Sequence, residues 1–153
     1  MAGVVTLLAL VLAVAASACG SVEIRATPVS GSERAACTRL VAALPDSVSD
    51  QRRRTSGGSS LGAAWGDPAI VLRCGVGKPA DYDPLTGCQR VDGVDWYVPA
   101  EALHPGTDVV ITTLGRTPAV EVTLPAAYRP PAAAMVDLGA AIRTHTRVVA
   151  PCS

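Results

Sequence analysis

Five cysteines, at positions 19, 37, 74, 88 and 152, are the most reactive side chains in the chain. Cys19 follows Ala16-Ser17-Ala18, small residues of the kind a lipoprotein signal peptidase requires before the cysteine it cleaves at. Its thiol would first take a diacylglyceryl group, and cleavage would then leave Cys19 as the modified N-terminus. Ala16 stands where a larger aliphatic residue is usual. The other four cysteines are even in number, and in an exported domain that implies two disulfides with three possible connectivities. No CxxC, CxxH or HxxxH occurs, so zinc is not expected. Cys74 and Cys88 flank a Gly/Pro-rich stretch, Gly75 to Gly87, and joining its ends is the economical pairing. That pairing leaves Cys37 with Cys152.

Other residue patterns have a chemical reading and a plainer one. Gly58-Ser59-Ser60-Leu61-Gly62 matches GxSxG, which in α/β-hydrolases places the serine on a strand-to-helix turn. Here Arg-rich polar sequence precedes Ser60, and only His104 and His145 could act as base. A loop is the expectation. Arg52-Arg53-Arg54 could bind phosphate or an anionic headgroup, but charge runs usually stay solvated. Gly75-Val76-Gly77-Lys78 lacks the spacing of a phosphate-binding loop, and Pro79 follows the lysine. Asp81 and Asp83 could hold calcium only weakly, without the remaining ligands of an EF-hand. Trp65-Gly66-Asp67-Pro68 stands out in a chain that is 3% aromatic. Trp65 can pack over Asp67, and Arg73, Asp95 and Trp96 can join a paired network beside it. The expected outcome is a turn plus a buried ion pair. The alternative is a ligand groove floored by Trp65 and Trp96, with Asp67, Arg73 and Asp95 as its polar groups.

The composition narrows the function classes. The 153 residues carry 13 basic and 13 acidic side chains, so no basic surface is available for broad nucleic-acid binding. Hydrophobic residues make up 49%, too many for a wholly disordered chain. Phe is absent, so the core must be built from Val, Leu, Ile and Ala, and covalent staples become useful. Lys78 is the only lysine beside twelve arginines, which reads as coding bias.

The elements that must position these residues follow from periodicity. Val4 to Ala18 is almost continuously apolar, near signal-peptide length and short for a membrane span. Met1-Ala2-Gly3 lacks the usual basic charge, which a start upstream of Met1 would supply. Residues 1–18 are thus read as a lipoprotein-type signal, 19–30 as a tether and 31–153 as one domain. A secreted form or an uncleaved single-pass anchor are the alternatives. Glu33 to Leu44 is a helix with Cys37, Leu40, Val41 and Leu44 on one stripe, capped by a Ser30/Glu33 box and stopped by Pro45. Ser47 to Gly62 is polar and read as a loop. Strands are expected at Ala69–Arg73, at Gln89–Val91 and Val94–Val98 around an Asp92-Gly93 turn, at Asp108–Leu114 and at Val120–Leu124. A second helix begins at Pro131 and carries Met135, Leu138 and Ile142. Arg147 to Val149 adds a last extended piece. The order predicts an α+β fold, a small antiparallel sheet packed by an N-terminal and a C-terminal helix and stapled by disulfides.

Several stretches together resemble an actinobacterial family of exported proteins, the domain-of-unknown-function family 3515. They include Ala43-Leu44-Pro45-Asp46, the run from Ala64-Trp65-Gly66-Asp67-Pro68 to Arg73-Cys74-Gly75, Gly93-Val94-Asp95-Trp96, Gly115-Arg116-Thr117-Pro118, Met135-Val136-Asp137-Leu138 and Pro151-Cys152. The resemblance covers about Thr27 to Cys152. It implies small lipoproteins or single-pass envelope proteins, and it carries no activity, cofactor or catalytic residue.

The sequence therefore leads to a non-enzymatic, lipid-anchored extracytoplasmic domain that binds another envelope component. It names no cofactor, no nucleic-acid partner and no oligomeric state. A Trp65/Trp96 ligand binder and a Ser60 hydrolase are the rivals.

Overall fold

The computed structural model describes residues 20–83 and 88–151. The signal segment, Cys19 and Cys152 lie outside the described residues. The elements in order are β1 (Val22–Ile24), α1 (Gly31–Ala42), β2 (Ser47–Val48), β3 (Gln51–Arg54), β4 (Ser56–Gly58), β5 (Gly62–Trp65) and β6 (Ile70–Val76). They continue with β7 (Gln89–Val91), β8 (Val94–Tyr97), β9 (Val109–Thr113), β10 (Arg116–Thr117), β11 (Ala119–Leu124), α2 (Ala132–His145) and β12 (Arg147–Val148). Short 3₁₀ turns cover Ala100–Leu103 and Ala126–Tyr128.

The main sheet has eight strands in the order β2-β3-β5-β6-β11-β9-β8-β7, and every pairing in it is antiparallel. Strand alternation divides its residues between two faces. Ile70, Leu72 and Cys74 on β6, and Val120, Val122 and Leu124 on β11, are fully buried. They meet Cys37 and Leu40 of α1 and Met135, Leu138 and Ile142 of α2 in one core. The intervening residues Val71, Arg73, Glu121 and Thr123 form the opposite, partly exposed face. The α+β fold with a helix near each end is thus the fold the periodicity predicts.

Local chemistry sets the element ends. Ser30 caps α1: its hydroxyl accepts from Glu33 N at 3.3 Å, while Glu33 Oε2 accepts from Ser30 N at 3.0 Å. The β7–β8 hairpin turns on Asp92 (φ 46°) and Gly93 (φ 71°), the two positive angles of a type I′ turn. The Arg143 guanidinium on α2 bonds both the carbonyl and the carboxylate of Asp92, which fixes the helix over this turn.

Three expectations are corrected. The polar stretch from Ser47 to Gly58 is mostly sheet, not loop, because its backbone pairs with β5 and β1 and its arginines find acceptors in neighbouring elements. Arg53 donates to the Leu44 and Val41 carbonyls at the end of α1 (3.3 and 3.2 Å) and lies 5.8 Å over the Trp65 ring. Arg54 donates to Gly66 O at 2.9 Å and Gly20 O at 3.3 Å. The stretch read as a tether is also built in: β1 pairs in parallel with β4, Ile24 is 2% exposed, and Thr27 Oγ1 donates to Cys74 O at 2.8 Å.

The third correction concerns the disulfides. Cys37 bonds Cys74, with Cα atoms 5.6 Å apart, so neither the Cys74–Cys88 nor the Cys37–Cys152 pairing stands. Both partners are fully buried, and the bond ties α1 to the central strand β6. Closing a chain separation of 37 residues corresponds to about 4 kcal/mol in the chain-entropy account. Helical phase decides the pairing. Cys37 shares the buried stripe with Leu40, and that stripe faces the inward residues of β6. Cys88 is also disulfide-bonded.

The registers give the sheet two distinct ends. Trp65 lies opposite Ile70, and Leu124 opposite Val109, at one end. Val76 lies opposite Ala119 at the other. We call these the Trp65 end and the Val76 end.

Candidate functional site

Trp65 and Trp96 are both fully buried on the helix-covered face, so they floor no groove. The Trp65 indole N–H donates to Pro45 O at 3.0 Å, and Trp96 Nε1 has no partner among the described residues. Trp65 does not pack over Asp67, whose side chain is 87% exposed and pairs with Arg54 at 3.5 Å. Arg73 and Asp95 do not pair either. Two strands, β11 and β9, lie between their strands, whereas Glu121 sits directly opposite Arg73 on β11. Arg73 Nε and Nη2 reach Glu121 Oε1 at 3.0 and 2.7 Å. Asp95 instead takes Arg90 in a two-pronged pair at 2.6 and 2.9 Å, which raises the Arg90 pKa further above its ordinary value.

Ser60 occupies a bend between two strands, β4 and β5, not a strand-to-helix turn. Neither His104 nor His145 bonds it among the described residues. Asp81 offers its backbone carbonyl to Tyr97 Oη at 2.8 Å. The described residues contain no group of three or more metal-ligating side chains.

Hollows lie on the uncovered face of the sheet and on its continuation around the Val76 end. A hollow of about 400 Å³ lies over the centre of the face, lined by Glu23, Arg25, Val71, Val110, Thr123 and the Arg73–Glu121 pair. The strands supply the floor, and the chain from β1 supplies one wall. Val110 is 41% exposed here, an apolar contact beside a two-pronged ion pair. The hollow continues along Gly75 to Ala80.

Beyond that segment opens a cleft of about 550 Å³, whose lining includes Glu33, Lys78, Tyr82, Arg116, Thr117 and Ala150. Its walls are held by specific contacts. The Lys78 ammonium lies 3.7 Å over the Tyr82 ring, and Tyr82 packs on Tyr97 at 5.3 Å. Arg116 Nε donates to Thr146 Oγ1 at 2.7 Å, and burial lowers the Arg116 pKa. The Glu33 carboxylate pKa is lowered, first by the Ser30 backbone N–H and then by the Ser30 hydroxyl. Gly115 closes the C-terminal side: its carbonyl accepts from Val149 N and Ala150 N, and a Cβ there would meet Ala150 O at 1.5 Å. The cleft thus presents two fixed cations, one carboxylate and backbone groups, an arrangement suited to reversible polar contacts.

Of the residues read as ligand contacts of a Trp65/Trp96 groove, only Arg73 lies on this surface; Lys78 and Cys88, read as loop and disulfide residues, line the cleft. Glu121 and Tyr97 carry no chemical motif, and Arg116 stands out only within the Gly115–Pro118 stretch. The only signal for Glu121 is position: it alternates with Val120 and Val122 on a strand with one wet face.

The chain matches the family model described as "Protein of unknown function (DUF3515)" over residues 1–150, and it belongs to that family. No curated protein and no solved structure matches it.

Proposed function

We propose that this member of the DUF3515 family is a lipid-anchored domain on the outer face of the cell membrane, where it serves as a non-enzymatic binding module for another envelope component. The observation that carries the reading is the buried Cys37–Cys74 disulfide joining α1 to the central strand. Structural disulfides persist in oxidising compartments and are rare in the cytosol. The apolar segment before Cys19 supplies the export route, and a diacylglyceryl group on Cys19 gives the two chains that stable anchoring requires. No helix among the described residues is long and apolar enough to cross a membrane. The uncovered sheet face and the cleft at the Val76 end form the surface proposed to meet the partner.

The test is the intact mass of the native protein from the membrane fraction, with and without reduction. The expected species starts at Cys19, carries a diacylglyceryl group and gains four hydrogens on reduction. A species starting at Met1 with free thiols would end the reading. The binding role is tested by cross-linking in intact cells from residue 78 on the cleft. A specific envelope neighbour is expected, and its repeated absence would count against the role.

A further inference from the structure

We infer that the Trp65 end of the sheet rests on the bilayer, held there by the anchor at Cys19 and by Leu103, so that the cleft at the Val76 end points away from the membrane. The inference rests on the lipid-anchor reading above.

The first observation is that no slack separates Cys19 from the fold. Gly20 O accepts from Arg54 Nη2 at 3.3 Å, Val22 N donates to Thr55 O at 3.3 Å, and β1 is in register with β4 from Val22. One residue of extended chain spans roughly 3.3–3.6 Å. A diacylglyceryl group on Cys19 therefore lies within a few ångströms of Gly20, and the domain cannot stand off from the surface. The Arg54 guanidinium also bonds Gly66 O, in the β5–β6 turn, which places Gly20 at the Trp65 end.

The second observation is independent of the anchor. Leu103 is 82% exposed, the most exposed large hydrophobic side chain among the described residues. It lies in the connection from β8 to β9. Tyr97, opposite Thr112, leads out of the sheet toward the Trp65 end, and the chain re-enters at Val109 opposite Leu124. Leu103 thus projects from the same end as Gly20. Between β5 and β9 lie three strand spacings, roughly 14 Å in all. Two separated contacts on one end fix the tilt of the sheet as well as its height.

Charge at this end is mixed. Asp67, Glu101 and Asp108 are exposed there beside exposed Arg52 and His104, and Arg54 is paired to Asp67. Contact set by a covalent lipid and an apolar side chain should be indifferent to salt and to anionic lipid. The seven-residue β6 then carries the Val76 end about 20 Å from the headgroups.

The experiment places the mature protein, starting at diacylglyceryl-Cys19, in small phosphatidylcholine bicelles, with and without phosphatidylglycerol, containing a headgroup-spin-labelled lipid. Amide signal loss is read by NMR. Loss is expected at residues 20–22, 66–69 and 101–106 in both compositions, and not at 115–117 or 148–150. Leu103→Asp should abolish the loss at 101–106 and leave it at 20–22. Inserting a Gly/Ser linker of about ten residues between Cys19 and Gly20 should weaken the loss at 66–69. Uniform loss, or loss centred on residues 115–117 and 148–150, would overturn the orientation while leaving the anchor intact. A mass lacking the diacylglyceryl group would overturn the anchor itself, and the orientation with it.

Discussion

The two faces of one sheet are built from alternate residues of the same strands, yet they obey different rules. On the helix-covered face, Leu72, Cys74, Val120 and Val122 are sealed under α1 and α2 and stapled by a disulfide. On the uncovered face, one position away, Val71, Arg73, Glu121 and Thr123 stay partly wet, and the central contact is an ion pair. The first face holds its shape because any lost atom leaves a void or a loose crosslink. The second can exchange its contacts with water at little cost, which is what a surface for reversible binding requires. A central pair of opposite charges also discourages the flat apolar stacking that aggregates open sheets.

The contrast can be broken most severely on the covered face. Trp65→Ala removes a fully buried indole and its bond to Pro45, and is expected to cost about 3–5 kcal/mol in a urea melt. A cost below about 1 kcal/mol would mean the indole is not part of the core. Replacing Cys37 and Cys74 together by Ala should cost up to about 4 kcal/mol and make stability insensitive to a reductant acting on that bond. On the uncovered face the expectation is smaller and changes sign with context. Arg73→Met alone should cost about 1–3 kcal/mol, because it strands the Glu121 carboxylate. The double variant Arg73→Met, Glu121→Leu should recover most of that, since like-shaped apolar groups can replace a pair at little cost. A double variant worse than the sum of the single ones would show that the faces do not differ in kind.

The smallest effect lies at the α1 cap. Ser30→Ala should cost about 1 kcal/mol by removing the hydroxyl that accepts from Glu33 N. The Glu33 carboxylate has a folded pKa below its ordinary 4.5. Its contribution is therefore fully present above pH 4.5 and is lost as pH falls through the lowered folded value. Glu33→Gln should flatten that acid limb of the stability profile, and an unchanged limb would assign the acid sensitivity to other carboxylates.

Much of the covered face is legible in the residues. The Cys37–Leu40 stripe, the Met135–Leu138–Ile142 stripe, the alternation at Val120–Leu124 and the Asp92-Gly93 turn all place themselves by local period and local backbone angle. Contacts between distant residues are less so on either face. Arg52 to Arg54 reads as a solvated run because the acceptors of Arg53 and Arg54, the carbonyls of Val41, Leu44, Gly20 and Gly66, are ordinary backbone groups with no sequence signature. Glu121 becomes the partner of Arg73 only through a register that two distant strands share.

What the sequence determined alone is what depends on near neighbours and on counts. It set the Ser30 cap of α1, the hairpin turn, the apolar periods, the α+β order and the presence of paired cysteines in a chain without a Phe-built core. Tertiary structure decided every choice that compares distant positions. It paired Cys37 with Cys74, sent Trp65 and Trp96 inward, gave Arg73 to Glu121 and Asp95 to Arg90, and folded the stretch from Gly20 into the domain. The physical reason is that side-chain partners and disulfides form across three-dimensional registers of helix stripe and strand face. Those registers are fixed by burying the whole set of apolar residues at once, not by any spacing along the chain.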